Sequence, residues 1–286
     1  MKNYIILLLI TCSCIGFSQN DTIKLKKFNT KYFDAVDQYV LFPKTQNDET
    51  HVLGLIYIDE MAGFTFQYIN DVIYNNENIK YKDSLNELTN IKTRLNTNTK
   101  DVYVLTEKEI KNLELEKNPS WLKTYKSNDE DVSYLTKIGY HYNHVGASHN
   151  AIPYLLKAYQ LDKTHKNVCF ELGFAYNATQ QFEKAIPVIQ VGLQQSPKNH
   201  YLYKELGYAY LGKGDLDNAE ITYLKGLKVS KDEAIKCEMA VNMAQGYFQT
   251  KNKPKFNKWA KIARENGSKS PNFIRYIDYF EKELNK

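Results

Sequence analysis

Ile138-Gly139-Tyr140-His141-Tyr142, Leu172-Gly173-Phe174-Ala175-Tyr176 and Leu206-Gly207-Tyr208-Ala209-Tyr210 are three copies of one pattern, with their glycines 34 residues apart. The spacing persists beyond these pentads. Ala151, Ala185 and Ala219 keep it, as do Leu155, Ile189 and Tyr223, then Ala158, Gly192 and Gly226. A fixed period of this length marks a stacked repeat whose unit is one supersecondary motif. Within a unit, the aliphatic, Gly and aromatic residues at i, i+1 and i+4 give a first helix one apolar face. The Ala, large and small residues at i, i+4 and i+7 give a second helix one stripe. Gly and Ala on the facing stripes allow close helix approach.

Short polar links separate the two helices of each unit at residues 146–149, 179–181 and 212–215. Gly214 suits a left-handed C′ position, and Asp215 or Asp217 an N-cap. Pro153 and Pro187 are expected early in the second helices, where a missing N–H matters least. A divergent fourth unit carries Met243, Ala244, Gly246 and Tyr247, then Phe256, Ala260 and Ala263. In residues 271–286, Phe273, Ile277, Phe280 and Leu284 form a single stripe opposite a charged face, as a terminal cap requires.

This pattern resembles the tetratricopeptide repeat, over roughly residues 131–267. The resemblance implies a mainly α chain: a solenoid of about four antiparallel helix pairs at 127–270, closed by a capping helix at 271–286. It also implies a protein or peptide partner held on the surface formed by the first helices. Tyr140, Phe174 and Tyr208 follow the three glycines. Phe170 and Lys204 lie four residues earlier and Asn143 and Asn177 three later, so these seven residues form the candidate partner-binding groove. Some members of the family clamp a partner's terminal carboxylate with Lys and Asn. Here Thr136 and Tyr140 stand at the corresponding positions, which argues against that clamp.

Residues 19–126 lack the repeat and read as a small α+β unit. Residues 52–58 and 64–69 form a hairpin, 40–42 and 101–105 are further strands, and a short helix is expected around 31–37. Thr106 and Glu109 make a capping box that opens a helix through Leu115. Residues 118–122 and the charged run 126–131 read as the junction to the repeats. Residues 1–18 have the layout of an export signal: Lys2, an apolar run at 4–10, and small residues before a cleavage after Ser18. The alternative is a lipid anchor at Cys12, where Leu9-Ile10-Thr11-Cys12 resembles a lipobox. Export to a bacterial periplasm or envelope is the expectation, with no transmembrane helix in the mature chain.

The chain has 286 residues, 43% hydrophobic and 25% charged, which is globular usage and excludes a mostly disordered chain. The net charge of +5 is interleaved with acids, so no nucleic-acid partner is indicated. A mean hydropathy of −0.55 excludes a polytopic membrane protein. Beyond the signal only Cys169 and Cys237 remain, and both read as buried thiols. Asp59 and Glu60 read as a solvated hairpin tip rather than an acid–base pair. His141, His144 and His149 could meet at a metal, but no carboxylate or Cys joins them. No phosphate loop, nucleophile elbow or zincin motif is present. The sequence therefore indicates a non-enzymatic exported interaction module, without catalytic residues, metal or cofactor. The alternative is an envelope enzyme or sugar-binding protein with 19–126 as its active part.

Overall fold

The computed structural model describes residues 27–45, 48–75, 78–83, 91–126 and 130–286. The export signal and Cys12 lie outside them. Four helix pairs form the second half: α2 (Val132–His144) with α3 (Ser148–Leu161), α4 (Val168–Ala178) with α5 (Phe182–Gln195), α6 (His200–Gly212) with α7 (Leu216–Val229), and α8 (Glu233–Gln249) with α9 (Lys253–Asn266). The glycines explain the packing within each pair. A Cβ on Gly139 would sit 2.3 Å from Leu155, on Gly173 2.4 Å from Ile189, and on Gly207 2.3 Å from Tyr223. Each glycine is the hole that receives the large residue of its partner helix, and Ala151, Ala185 and Ala219 beside them are fully buried.

The links repeat as closely as the helices. Gly146, Gln180 and Gly214, 34 residues apart, all take positive φ and turn the chain out of the first helix. Asp215 is the N-cap of α7, accepting from the Asn218 N–H at 3.1 Å. Pro153 and Pro187 are the sixth residues of α3 and α5. They lie a turn deeper than expected, and each removes one backbone hydrogen bond inside its helix. The fourth pair departs from the period because α8 is longer than the other first helices. There the large and small residues exchange places: Phe256, Ala260 and Ala263 are buried on α9. The last helix, α10 (Pro271–Leu284), buries Ile277 and Phe280, with Phe273 and Leu284 partly covered, against the core formed by α8 and α9.

The N-terminal half is a curled antiparallel sheet: β1 (Gln38–Leu41), β2 (His51–Asp59), β3 (Gly63–Asn75), β4 (Asn78–Tyr81), β5 (Lys92–Arg94) and β6 (Tyr103–Val104). The order is β4-β3-β2-β1-β6, with β5 also on β3. The expected hairpin is β2–β3, with its register broken at Leu53/Gly54. Residues 31–37 give only a 3₁₀ turn, Tyr32–Asp34. The capping box forms, but α1 (Glu107–Asn112) stops short of Leu115, and a 3₁₀ segment, Ser120–Tyr125, follows. Strands β4 and β5 have no clear signal in the sequence, being short and largely exposed.

Strand alternation sends neighbouring residues to two different cores. Leu53, Leu55 and Tyr57 pack with Leu105, Leu113 and Leu122 from the α1 and 3₁₀ segments. Ile56, Ile58, Phe64 and Phe66 belong instead to the core of the first repeats, with Tyr134, Leu135, Ile138 and Tyr142 of α2. Phe64 meets Tyr142 edge to face at 5.1 Å. The sheet is thus seated on the open end of the solenoid, as α10 is at the other end. At the junction Lys126 pairs with Asp37, and Glu130 with Lys157 of α3. The hairpin tip is only partly solvated: Met61 is exposed, but Glu60 pairs with Lys137, its carbonyl lies 2.9 Å from His141 Nε2, and Asp59 accepts from the Met61 and Ala62 N–H groups.

Candidate functional site

The first helices pack directly on one another, α2 on α4, α4 on α6 and α6 on α8. Each second helix wedges mainly between its own first helix and the next. That arrangement puts the first helices on the inner side of the curve. Tyr140 and Tyr208 stand there 43% and 44% exposed. Phe170 and Phe174 are half-buried, their rings 6.4 Å apart, and Phe170 meets Tyr201 edge to face at 6.1 Å. Tyr208 rests on Phe182 at 6.0 Å, and Tyr140 stacks on His144 at 5.7 Å. Phe170, Phe174 and Tyr208 thus lie close together, Phe174 and Tyr208 lining one cavity, and each of the four rings, Tyr140 included, is steadied by a neighbouring ring.

Asn143 and Asn177 are not part of that exposed surface. Both are buried, and each spans to the next repeat. Asn143 Nδ2 donates to the carbonyl and the carboxylate of Glu171, at 3.0 and 2.9 Å. Asn177 Nδ2 makes the same pair of bonds to Glu205, at 2.9 and 2.9 Å. This is a polar ladder locking one repeat to the next. It ends after two rungs because Leu211 replaces the third Asn. Burial pushes the Glu171 carboxyl up, against the lowering effect of Asn143. Glu205 is raised for the same reason, despite the nearby Lys204 ammonium.

Lys204 also differs from expectation. Its ammonium is not offered to a ligand but lies 3.5 Å from Glu205 and 3.2 Å from Glu238. Burial alone would lower its pKa, and the two carboxylates raise it instead. It sits in a cavity of about 240 Å³ together with Phe174, Asn177, Tyr208 and Asn242. One cation against two carboxylates does not make this cavity a seat for an acidic group. Sequence reasoning missed Glu238, Asn242 and the exposed Tyr201. Glu238 and Asn242 stand 34 residues after Lys204 and Tyr208, but the fourth unit's visible match, Met243 to Tyr247, falls later along the longer α8 and hides that register, and Tyr201 precedes the pentad that defines it.

Thr136 is buried and donates to the Val132 carbonyl at 2.6 Å. His141 is buried against the hairpin tip, whereas His144 and His149 are exposed. Among the described residues no three His, Cys, Asp or Glu side chains are grouped to hold a metal. Cys169 and Cys237 are free and buried, and burial pushes the Cys169 thiol up to about 11. On the far face of the sheet an open cleft of about 680 Å³ is lined by Tyr68, Lys92, Glu116, Trp121, Thr124 and Tyr125, among others.

The tetratricopeptide repeat family model matches residues 201–233, the third helix pair. Similar solved structures include two of MamA. One is 25% identical, with 52% of this chain and 86% of that chain covered and a TM-score of 0.46. The other is 22% identical, with 52% and 83% covered and a TM-score of 0.45. A thermophilic TPR protein of Thermus thermophilus is 18% identical, with 55% and 84% covered and a TM-score of 0.45. No curated protein matches the chain.

Proposed function

Because the helical half of this chain belongs to the tetratricopeptide repeat superfamily, we propose that the protein is a non-enzymatic interaction module that holds a segment of a partner protein along its first helices. The observation that carries this reading is the row of rings at repeat spacing, of which Tyr140 and Tyr208 stay more than two-fifths exposed in the free protein. Large rings left wet along one face mark a binding surface, and aromatic anchors dominate interface energetics. A display library of random 12-residue peptides, panned on the intact chain, tests it. Enriched peptides should lose at least tenfold in affinity when Tyr140→Ala and Tyr208→Ala are combined, and should lose nothing on Ile221→Ser of α7. Peptides indifferent to the two tyrosines would overturn the groove.

The proposal extends to export, on the signal layout of residues 1–18. No helix among the described residues is long and apolar enough to cross a membrane. Intact mass of the protein recovered from an envelope fraction should correspond to a chain beginning at Gln19. A full-length mass, or one carrying acyl groups on Cys12, would refute cleavage after Ser18.

A second reading rests on the outer cleft of the sheet. Trp121 is 37% exposed there beside Tyr125, with Lys92, Glu116 and Thr124 at hand. An aromatic floor with mixed polar groups suits a polyhydroxylated ligand such as a sugar. Sugar-dependent quenching of Trp121 fluorescence, absent in Trp121→Ala, would favour it.

A further inference from the structure

A smaller cavity, about 260 Å³, opens between β5, the turn after it and the C-terminal end of α2. Its wall includes Gly63, Arg94, Asn96, Thr97, His141 and His144. No carboxylate lines it, whereas the cavity at Lys204 and the cleft at Trp121 each carry at least one. The carboxylates nearest in the chain are already engaged: Asp59 with two backbone N–H groups and Glu60 with Lys137. Arg94 is exposed and makes no ion pair with any described residue. Its backbone is nonetheless fixed, since it pairs with Thr65 in the sheet and the next residue, Leu95, is buried with its N–H on the Phe64 carbonyl at 2.8 Å.

Of the polar side chains around Arg94, those of Asn96 and Thr97 can donate, whereas His141 Nδ1 is an acceptor, because Nε2–H is given to the Glu60 carbonyl. The Asn96 amide oxygen accepts from the Asn98 N–H at 2.9 Å, which leaves its NH₂ to give. His141 is committed through Nε2 to the Glu60 carbonyl. The cavity also adjoins the aromatic row, because His144 on its wall stacks on Tyr140. We propose that this cavity takes the carboxylate of an acidic side chain on the partner segment, held by the Arg94 guanidinium with the Asn96 and Thr97 side chains. The inference rests on the groove reading above and adds the partner's chemistry to it. One guanidinium matches one carboxylate in charge and in its two-pronged geometry. The volume suits a single side chain, being below the range of cavities that hold whole small-molecule ligands. The sheet thereby contributes a residue to the surface of the repeats.

The experiment uses the peptides enriched on the intact chain. They should carry Asp or Glu at a fixed distance from an aromatic or aliphatic residue. Arg94→Gln should weaken them about tenfold or more, the worth of a charge-assisted pair, without changing the melting temperature of this exposed site. Replacing the peptide's acid by its amide should cost the same factor on the unaltered chain and nothing further on Arg94→Gln. Peptides that lose affinity with the two tyrosines but not with Arg94→Gln would leave the groove standing and overturn the carboxylate site. Peptides indifferent to both, or no enrichment at all, would overturn both readings. Sensitivity to Arg94 alone would support the anion site and remove the groove.

Discussion

Glu171 and Glu220 both lie between helices, and their substitution by Gln should have opposite signs. Glu220 accepts from Tyr247 Oη at 2.6 Å, Lys255 Nζ at 3.0 Å, Lys258 Nζ at 3.1 Å and Trp259 Nε1 at 3.1 Å. Burial alone would raise its carboxyl, but these donors hold it at about 2, below the ordinary 4.5. A depressed pKa means stability present above pH 4.5 and lost as the pH falls toward 2. Glu220→Gln should therefore cost roughly 1–3 kcal/mol at pH 7 and flatten that acid limb in a urea-unfolding series. Glu171 has no cation partner among the described residues, and burial raises it, so the ionised form is a cost to the fold at neutral pH. Glu171→Gln keeps an acceptor for Asn143 Nδ2 and brings a donor near Asn143 Oδ1, which is buried without a hydrogen-bond partner. It should stabilise by about 1 kcal/mol at pH 7. The gain should vanish as the pH drops through the raised pKa and the native carboxyl takes its own proton. A destabilised Glu171→Gln at pH 7 would show that the ladder depends on the charge.

Among the elements, the helix pairs depend on a glycine facing a large side chain. Ala is the better helix former by about 1 kcal/mol, so Gly173→Ala on an open helix would stabilise. Here the new methyl would lie 2.4 Å from Ile189 Cγ1 and 3.0 Å from its Cδ1, and only separating α4 from α5 relieves it. A net loss of about 1–3 kcal/mol is expected, read as a lower urea midpoint. Ile189→Val in the same chain should recover part of it by removing a methyl from the crowded side. A Gly173→Ala chain as stable as the parent would mean that the pair is packed more loosely than these distances show.

Across the full length of the protein, the two ends of the solenoid are closed by different means. At one end α10 lays Ile277 and Phe280 on the last pair. At the other the sheet lays Ile56, Ile58, Phe64 and Phe66 on α2, in a core continuous with Leu172 and Ile189 of the second repeat. A solenoid end without a polar cap exposes its apolar face. Residues 127–286 alone should therefore aggregate or melt well below the intact chain, and adding polar residues at Leu135 and Ile138 should restore solubility. A soluble 127–286 segment with the parent's melting temperature would show that the sheet is an independent passenger.

Whatever is local or periodic could be read from the residues alone. The helix pairs, the glycine holes, the Asp215 cap, the Thr106–Glu109 capping box, the β2–β3 hairpin and the stripe of α10 each follow from residues within one element or one period. That Phe170, Phe174 and Tyr208 come close together was legible for the same reason, because a constant repeat rotation carries equal positions to equal places. What non-neighbours do to one another emerged only in the folded chain. Folding turned Asn143 and Asn177 inward onto carboxylates 28 residues away. It neutralised Lys204 with Glu238, one repeat further on in the divergent fourth unit, and it seated the sheet on the first repeat rather than beside it. It also brought Arg94, from a strand with no clear sequence signal, to the end of the aromatic row. Burial and charge pairing depend on which surfaces meet, and a strand's alternation says that two faces are apolar without saying what covers either one.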